Sequence, residues 1–435
     1  MTNTLSRTGL FASLALVLAA CTVETTDGAP CPPSGPGASS GGSGTGATPQ
    51  GGCVRDRDVT ASETWSPAAC PDGYLVKKAI AITGAGVELR IEPGTVVKFE
   101  NEAGLQVGGS TSLVAAGTAE QKIRFTGWQA APGSWRGIVF ASNSVKNEIT
   151  NAIVEHAGSD RDVDGAIHVG LSYEQPARVA LADVEMKDNA RYGLYVRQDA
   201  KLGRFERVSI KNNALGAAHV VTPSVAQLRG AGNVFEDNGP DNLVLLETNI
   251  LVELLEDATW PSVAPAKYRV VGQHGEGGDL VRVKKHLVIE PGAVFEMAGG
   301  SGFLVAGGTA GLKAAGTPEQ KIVFRGIADS SWLGITYGES TWSENRLENV
   351  EVRNATSAPE WSYFATGSSD YRKAGIMLGY NFVTAVPLTL KDVVVAGPNN
   401  APADVFRKNS ANLVLEGTNS GTGAGGALEI ETTPY

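Results

Sequence analysis

Ile91-Glu92-Pro93-Gly94 returns as Ile289-Glu290-Pro291-Gly292, and the agreement spreads outward from this tetrapeptide. Ala115-Ala116-Gly117-Thr118 and Glu120-Gln121-Lys122-Ile123 return as Ala314-Ala315-Gly316-Thr317 and Glu319-Gln320-Lys321-Ile322. Trp135-x-Gly137-Ile138 returns as Trp332-x-Gly334-Ile335, and Thr64-Trp65 as Thr259-Trp260. Val234-Phe235 with Asn242-Leu243-Val244-Leu245 closes one copy; Val405-Phe406 with Asn412-Leu413-Val414-Leu415 closes the other. Self-similarity at this scale identifies a repeat architecture. The offset stays near 195–199 and then falls to about 170, so the second copy lacks one shorter unit.

A finer period runs inside the copies. Val184-x-Met186-x-x-Asn189 recurs as Val208-x-Ile210-x-x-Asn213 and as Phe235-x-x-Asn238, every 24 or 25 residues. Each unit is a short alternating segment, then Asn or Gly, then another short segment. Period-two alternation between turn residues indicates strands rather than helices. Asn tolerates left-handed backbone angles and suits a corner repeated in every coil. Stacked Asn side chains also hydrogen-bond along a stack.

The pattern I-x-P-G, L-x-A-x-G-T, E-Q-K-I-x-F, W-x-G-I resembles exported right-handed parallel β-helix proteins of the pectate-lyase-like class, over most of residues 75–430. The resemblance implies an all-β solenoid of two tandem copies, 53–250 and 251–435. About fifteen coils at ~4.8 Å each would make a rod on the order of 70 Å long. The segments around Thr64-Trp65 and after Asn419 are the expected covers for its ends. The class includes lyases, hydrolases, adhesins and inert surface proteins, so it implies a fold and not an activity.

The amino-terminal end carries a second resemblance. Arg7 precedes the apolar run Leu10–Ala20, which is too short to span a bilayer. It ends in Leu18-Ala19-Ala20-Cys21, similar to the lipobox of bacterial lipoproteins. That implies a signal peptide over 1–20, a lipid on Cys21 and, with Thr22 following, sorting to the outer membrane. Residues 21–52 are rich in Gly, Ser and Pro and read as a flexible tether. Three cysteines remain, Cys31, Cys53 and Cys70. In an oxidising compartment the preferred pair is Cys53–Cys70, since both flank the start of the folded part.

The chain has 435 residues, 19% charged, with a net charge of −10 and no basic stripe. This argues against nucleic acid as a partner. The expected partners are the membrane, through the lipid, and a polysaccharide or another surface protein.

Enzymes of the resembled class use clustered carboxylates, with calcium and a basic residue or as an acid/base pair. No Asp-Asp pair, Ser/His/Asp set or phosphate loop is found, so no catalytic residue is assigned. Asp160-Arg161-Asp162-Val163-Asp164-Gly165 matches the first half of a calcium loop, making Asp160, Asp162 and Asp164 the candidate calcium ligands. Leu171 stands where the loop's bidentate Glu belongs.

In Ala166-Ile167-His168-Val169 the apolar residues point inward and His168 outward. Tyr195 and His219 occupy the same place in the next two units, and Arg197 lies one outward position beyond Tyr195. Stacked at ~4.8 Å, these rings form a candidate glycan-binding strip, though Tyr and His are also common on ordinary strand surfaces. Met377 holds the matching place in the second copy. Trp135 and Trp332 are duplicated, which favours packing; Glu92 and Glu290 read as turn residues. The expected function is a non-catalytic surface lipoprotein that is structural, adhesive or glycan-binding; the alternative is a polysaccharide lyase or glycoside hydrolase.

Overall fold

The computed structural model describes residues 53–160, 162–171, 176–249, 252–272, 279–355, 374–379, 386–396, 403–408 and 411–433. The signal-like segment 1–20, Cys21, Cys31 and the tether 21–52 lie outside them. The described strands form four sheets of twelve, twelve, seven and six strands, and every strand pair is parallel. The chain is a parallel β-helix.

The coil geometry follows from the alternation. On the sheet that runs through both copies, Ile138, Ile167, Leu194, Ala218, Val244, Tyr268, Phe295 and Phe324 pair in turn as one inward column. All are fully buried. Each such aliphatic or aromatic side chain contributes roughly 1.5–3 kcal/mol by leaving water. Like shapes stack: Tyr268 on Phe295 at 5.0 Å and Phe295 on Phe324 at 5.1 Å.

Corners explain why the two duplicated motifs travel together. Pro93 is followed by Gly94 at φ +78°, and Pro291 by Gly292 at φ +81°, a backbone that a side chain strains. The Gly94 N–H donates to the Gln121 carbonyl of the next coil at 2.9 Å, and the Gly292 N–H to that of Gln320 at 3.0 Å. The I-E-P-G corner is therefore seated on the E-Q-K-I corner above it.

The Asn corner differs from the expectation in one respect. Asn189, Asn213 and Asn238 form a buried ladder, with Nδ2 of Asn189 donating to Oδ1 of Asn213 at 2.7 Å and Asn213 likewise to Asn238 at 2.8 Å. The left-handed residue is the one before each: Asp188, Asn212 and Asp237, at φ 54°, 56° and 55°. One residue makes the bend and the next satisfies the backbone it exposes.

The shared sheet stacks twelve strands, and the parallel bridges Val59–Ile82 and Val394–Ser420 add a level at each end, so the described residues give fourteen levels, about 62 Å at ~4.8 Å per step. Between paired strands the step runs from 21 residues at Val54–Leu75 to 43 at Leu347–Leu390, with the 24-residue step of the Asn ladder near the short end.

The copies also sit on different faces. Val96–Phe99 pairs within a sheet confined to the first copy, whereas its counterpart Val294–Met297 lies in the shared sheet. The duplicated sequence re-enters the helix one face round.

Cys53 and Cys70 form a disulfide beside the first strand, Val54–Arg55, which pairs with Leu75–Val76. Trp65 is in the core of this end rather than over it. At the other end Ser420 bridges Val394, and Ile430–Thr433 extends the seven-stranded sheet. Trp135 and Trp332 are buried, donating their indole N–H to the Glu155 and Arg353 carbonyls at 2.8 and 2.7 Å, a packing role for both.

Candidate functional site

Strands Gly165–Val169, Tyr192–Val196 and Gly216–Val221 lie side by side, with His168 opposite Tyr195 and Tyr195 opposite His219. Their inward neighbours are fully buried, so the three rings share the outer column. The His168 and Tyr195 rings are 4.4 Å apart and those of Tyr195 and His219 4.6 Å apart. A Cβ on Gly216 would sit 2.8 Å from the Tyr192 ring, so this glycine lets Tyr192 lie against the strip. Tyr192 and His219 are 5.4 Å apart, centre to centre.

The strip is stacked but closed. His168, Tyr195 and His219 expose only 3, 8 and 7% of their surface, leaving no ring face for a sugar. Nε2 of His168 lies 2.8 Å from the Gly170 carbonyl, which only accepts, so Nε2 carries the proton and the buried Nδ1 has no hydrogen-bond partner. Burial lowers the His168 pKa to about 4, against the opposing pull of that carbonyl. Arg197 points to the Leu171 carbonyl at 2.9 Å.

His219 is held between two acids. Its Nε2 is 3.0 Å from Glu247 and its Nδ1 3.7 Å from Asp164, an ion-pair distance too long for a hydrogen bond. Burial alone would lower its pKa, but the two carboxylates prevail and raise it. Asp164 also accepts from Arg191, at 3.1 Å from Nε. Burial opposes its ionisation, and His219 and Arg191 overcome it, lowering Asp164 to about 2. The Tyr192 phenol is pushed up to about 12 by burial and then by Asp164. The site thus packs an imidazole, two acidic side chains, a guanidinium and a phenol against one another.

Asp160, Asp162 and Asp164 do not converge. Asp160 pairs with Arg136 and accepts the Asp162 N–H at 2.9 Å; Asp162 is exposed; Asp164 turns to Arg191. Two of the three carboxylates are thus neutralised by separate arginines, which disfavours a calcium ion among them. Among the described residues, the group whose ligand atoms lie within 4.8 Å of one another is instead Glu155, His156 and Asp188. Glu155 there accepts from Arg124 at 2.6 Å, and His156 meets the Thr126 hydroxyl at 3.0 Å.

The chain has no match among protein-family models, curated proteins or solved structures. The geometry of the site therefore carries the reading alone.

Sequence reasoning missed Glu247, Arg191 and Tyr192. Glu247 had a legible signal, being the outward partner of Leu246 on the next strand. Arg191 and Tyr192 follow the Asn189 corner, where alternation resets and facing is not readable. Met377 pairs with Thr336 and Phe406 in the seven-stranded sheet, so the second copy's matching place lies on another face.

Proposed function

We propose that this chain is a non-catalytic surface protein of a bacterial envelope, held by a lipid on Cys21 and a tether over 21–52. Its rigid β-helix stands clear of the outer membrane for structural, adhesive or glycan contact. The observation that carries this reading is the mutual satisfaction of the acid and base groups on the outer column: Asp164 with Arg191, His219 with Glu247, Asp160 with Arg136. A lyase or hydrolase needs a base or acid facing the substrate. Here these groups are turned toward one another in ion pairs.

The test incubates the full chain with pectate, alginate and neutral polysaccharides, with and without calcium. No shortened product is expected. Products that disappear in Asp164→Asn would overturn the non-catalytic reading. The anchor is checked separately: Cys21→Ala should move the protein from the membrane fraction to the soluble one.

A further inference from the structure

The first copy carries a cleft beside the corner that follows Gly127. It has a volume of about 550 Å³ and is lined by Phe99, Glu100, Asn101, Trp128, Gln129 and Ser134, among others. That is within the range of small-ligand sites, ~300–1,000 Å³. Trp128 is 37% exposed and is the only tryptophan among the exposed large hydrophobic residues described. The Lys98 ammonium lies 5.7 Å from its ring centre.

The duplication acts as an internal control on what the fold requires. Phe99 pairs with Gly127 as Met297 pairs with Gly326, so Glu100 and Asn101 correspond to Ala298 and Gly299, and Trp128 to Ile327. Both copies keep the glycine and the buried tryptophan that follows it. A Cβ on Gly127 would fall 1.7 Å from the Ser134 hydroxyl, and one on Gly326 1.6 Å from the Ser330 carbonyl. Only the first copy has the longer 128–134 loop, the indole, and Glu100 and Asn101 where the second has Ala298 and Gly299. The same corner closes without them, so they answer to something other than folding.

The loop is fixed in advance. Ser134 donates its N–H to the His156 carbonyl at 2.9 Å and its hydroxyl to the Gln129 carbonyl at 2.8 Å, while the Gly133 N–H reaches the Ala157 carbonyl at 3.2 Å. The Trp128 N–H reaches the Phe99 carbonyl at 2.6 Å. Phe99 stacks on Trp135 at 4.1 Å and makes a rigid floor. The Asn101 and Gln129 amides hydrogen-bond to no described residue and face solvent.

From this arrangement we infer that the Trp128 cleft is a saccharide-binding subsite. The exposed part of the indole, 37% of the residue's surface, offers an apolar contact to the C–H face of a pyranose ring, and each amide offers a donor and an acceptor to neighbouring hydroxyls. Glu100 adds an acceptor on the same rim. A preset loop limits the entropy lost on binding. The inference extends the surface-contact reading and places glycan contact here rather than on the closed His168–Tyr195–His219 strip.

The test uses the full chain with four probes: cellohexaose, maltohexaose, chitohexaose and trigalacturonate. Saturation-transfer NMR and tryptophan emission report binding. At least one probe should bind, with Trp128→Ala weakening it about tenfold or more. Gln129→Ala should weaken it less, and Ile327→Ala at the matching corner should leave it unchanged. Unfolding temperatures should agree across the variants, because Trp128 is exposed. The inference is overturned if no probe gives saturation transfer at millimolar concentration, or if Trp128→Ala binds like wild type. Shortened probe would sink the non-catalytic reading instead, and dependence on Trp128 would still decide the subsite.

Discussion

His168 and His219 flank Tyr195 on one outward column, at 4.4 and 4.6 Å from its ring, and the protein shifts their pKa values in opposite directions. For His168 burial outweighs the opposing pull of the Gly170 carbonyl and of the more remote Asp164, and the pKa falls. For His219 the carboxylates of Asp164 and Glu247 outweigh burial, and the pKa rises. Two coils of separation are enough to reverse the sign of the shift.

The neutral His168 makes stability sensitive to acid. Its folded pKa is about 4, against ~6.5 in an unfolded chain. Between those values the unfolded state binds more protons, so stability falls as pH drops through the window, by on the order of 3 kcal/mol in all. Urea unfolding at pH 4 to 7 should show this slope and show it flattened in His168→Gln. An equal slope in the variant refutes the assignment.

His219 runs the other way. Its folded pKa lies above the unfolded value, so its contribution is full below pH ~6.5 and is lost as pH rises through the folded pKa. Asp164→Asn removes one of its two acids. An NMR titration of the ring should then give a lower pKa than in wild type; an unchanged value would mean that Glu247 alone sets it.

Asn213 sits in the middle of the buried ladder, taking a hydrogen bond from Asn189 and giving one to Asn238. Asn213→Ala leaves groups unsatisfied on both neighbouring coils and should cost about 2–4 kcal/mol, at roughly 1–3 kcal/mol per buried orphan. Asn212→Gly, one residue earlier at φ 56°, relieves a strained backbone and should cost far less. Thermal unfolding of the pair checks the order; similar losses would contradict the division of labour at this corner.

The fold was legible because it is periodic. Duplicated corners such as Ile91–Gly94 and the Asn189–Asn213–Asn238 spacing state a coil twice or three times over. The outward position of His168, Tyr195 and His219 followed from alternation with Ile167, Leu194 and Ala218. Their burial did not, because it depends on what packs over the column. The partners of Asp160 and Asp164 were hidden for a similar reason: Arg136 and Arg191 sit at corners on other coils, and a linear pattern of alternating Asp does not show which cation neutralises each. The one-face shift between the copies was equally invisible, since sequence similarity is blind to which sheet a strand joins.

That shift has an energetic signature at Glu296. This buried carboxylate receives Lys267 at 2.9 Å, Arg269 at 2.7 Å and Arg325 at 2.9 Å, and these three hold its pKa low despite burial. Its counterpart in the first copy is Lys98, which lies between Leu75 and Thr126 where the second copy has Arg269 and Arg325. Charge at the centre and charge on the neighbours have changed together. Glu296→Gln leaves three cations facing a neutral group and should cost about 3–5 kcal/mol, the usual range for breaking a buried pair. Glu296→Lys restores the first copy's residue in the wrong company and should cost more, because like charges then face one another across adjacent strands. Adding Arg269→Leu and Arg325→Thr to Glu296→Lys rebuilds the first copy's triplet and should recover part of the loss. Urea midpoints of these variants form a coupling cycle. If the losses simply add, the three positions act independently and the compensation between copies is incidental.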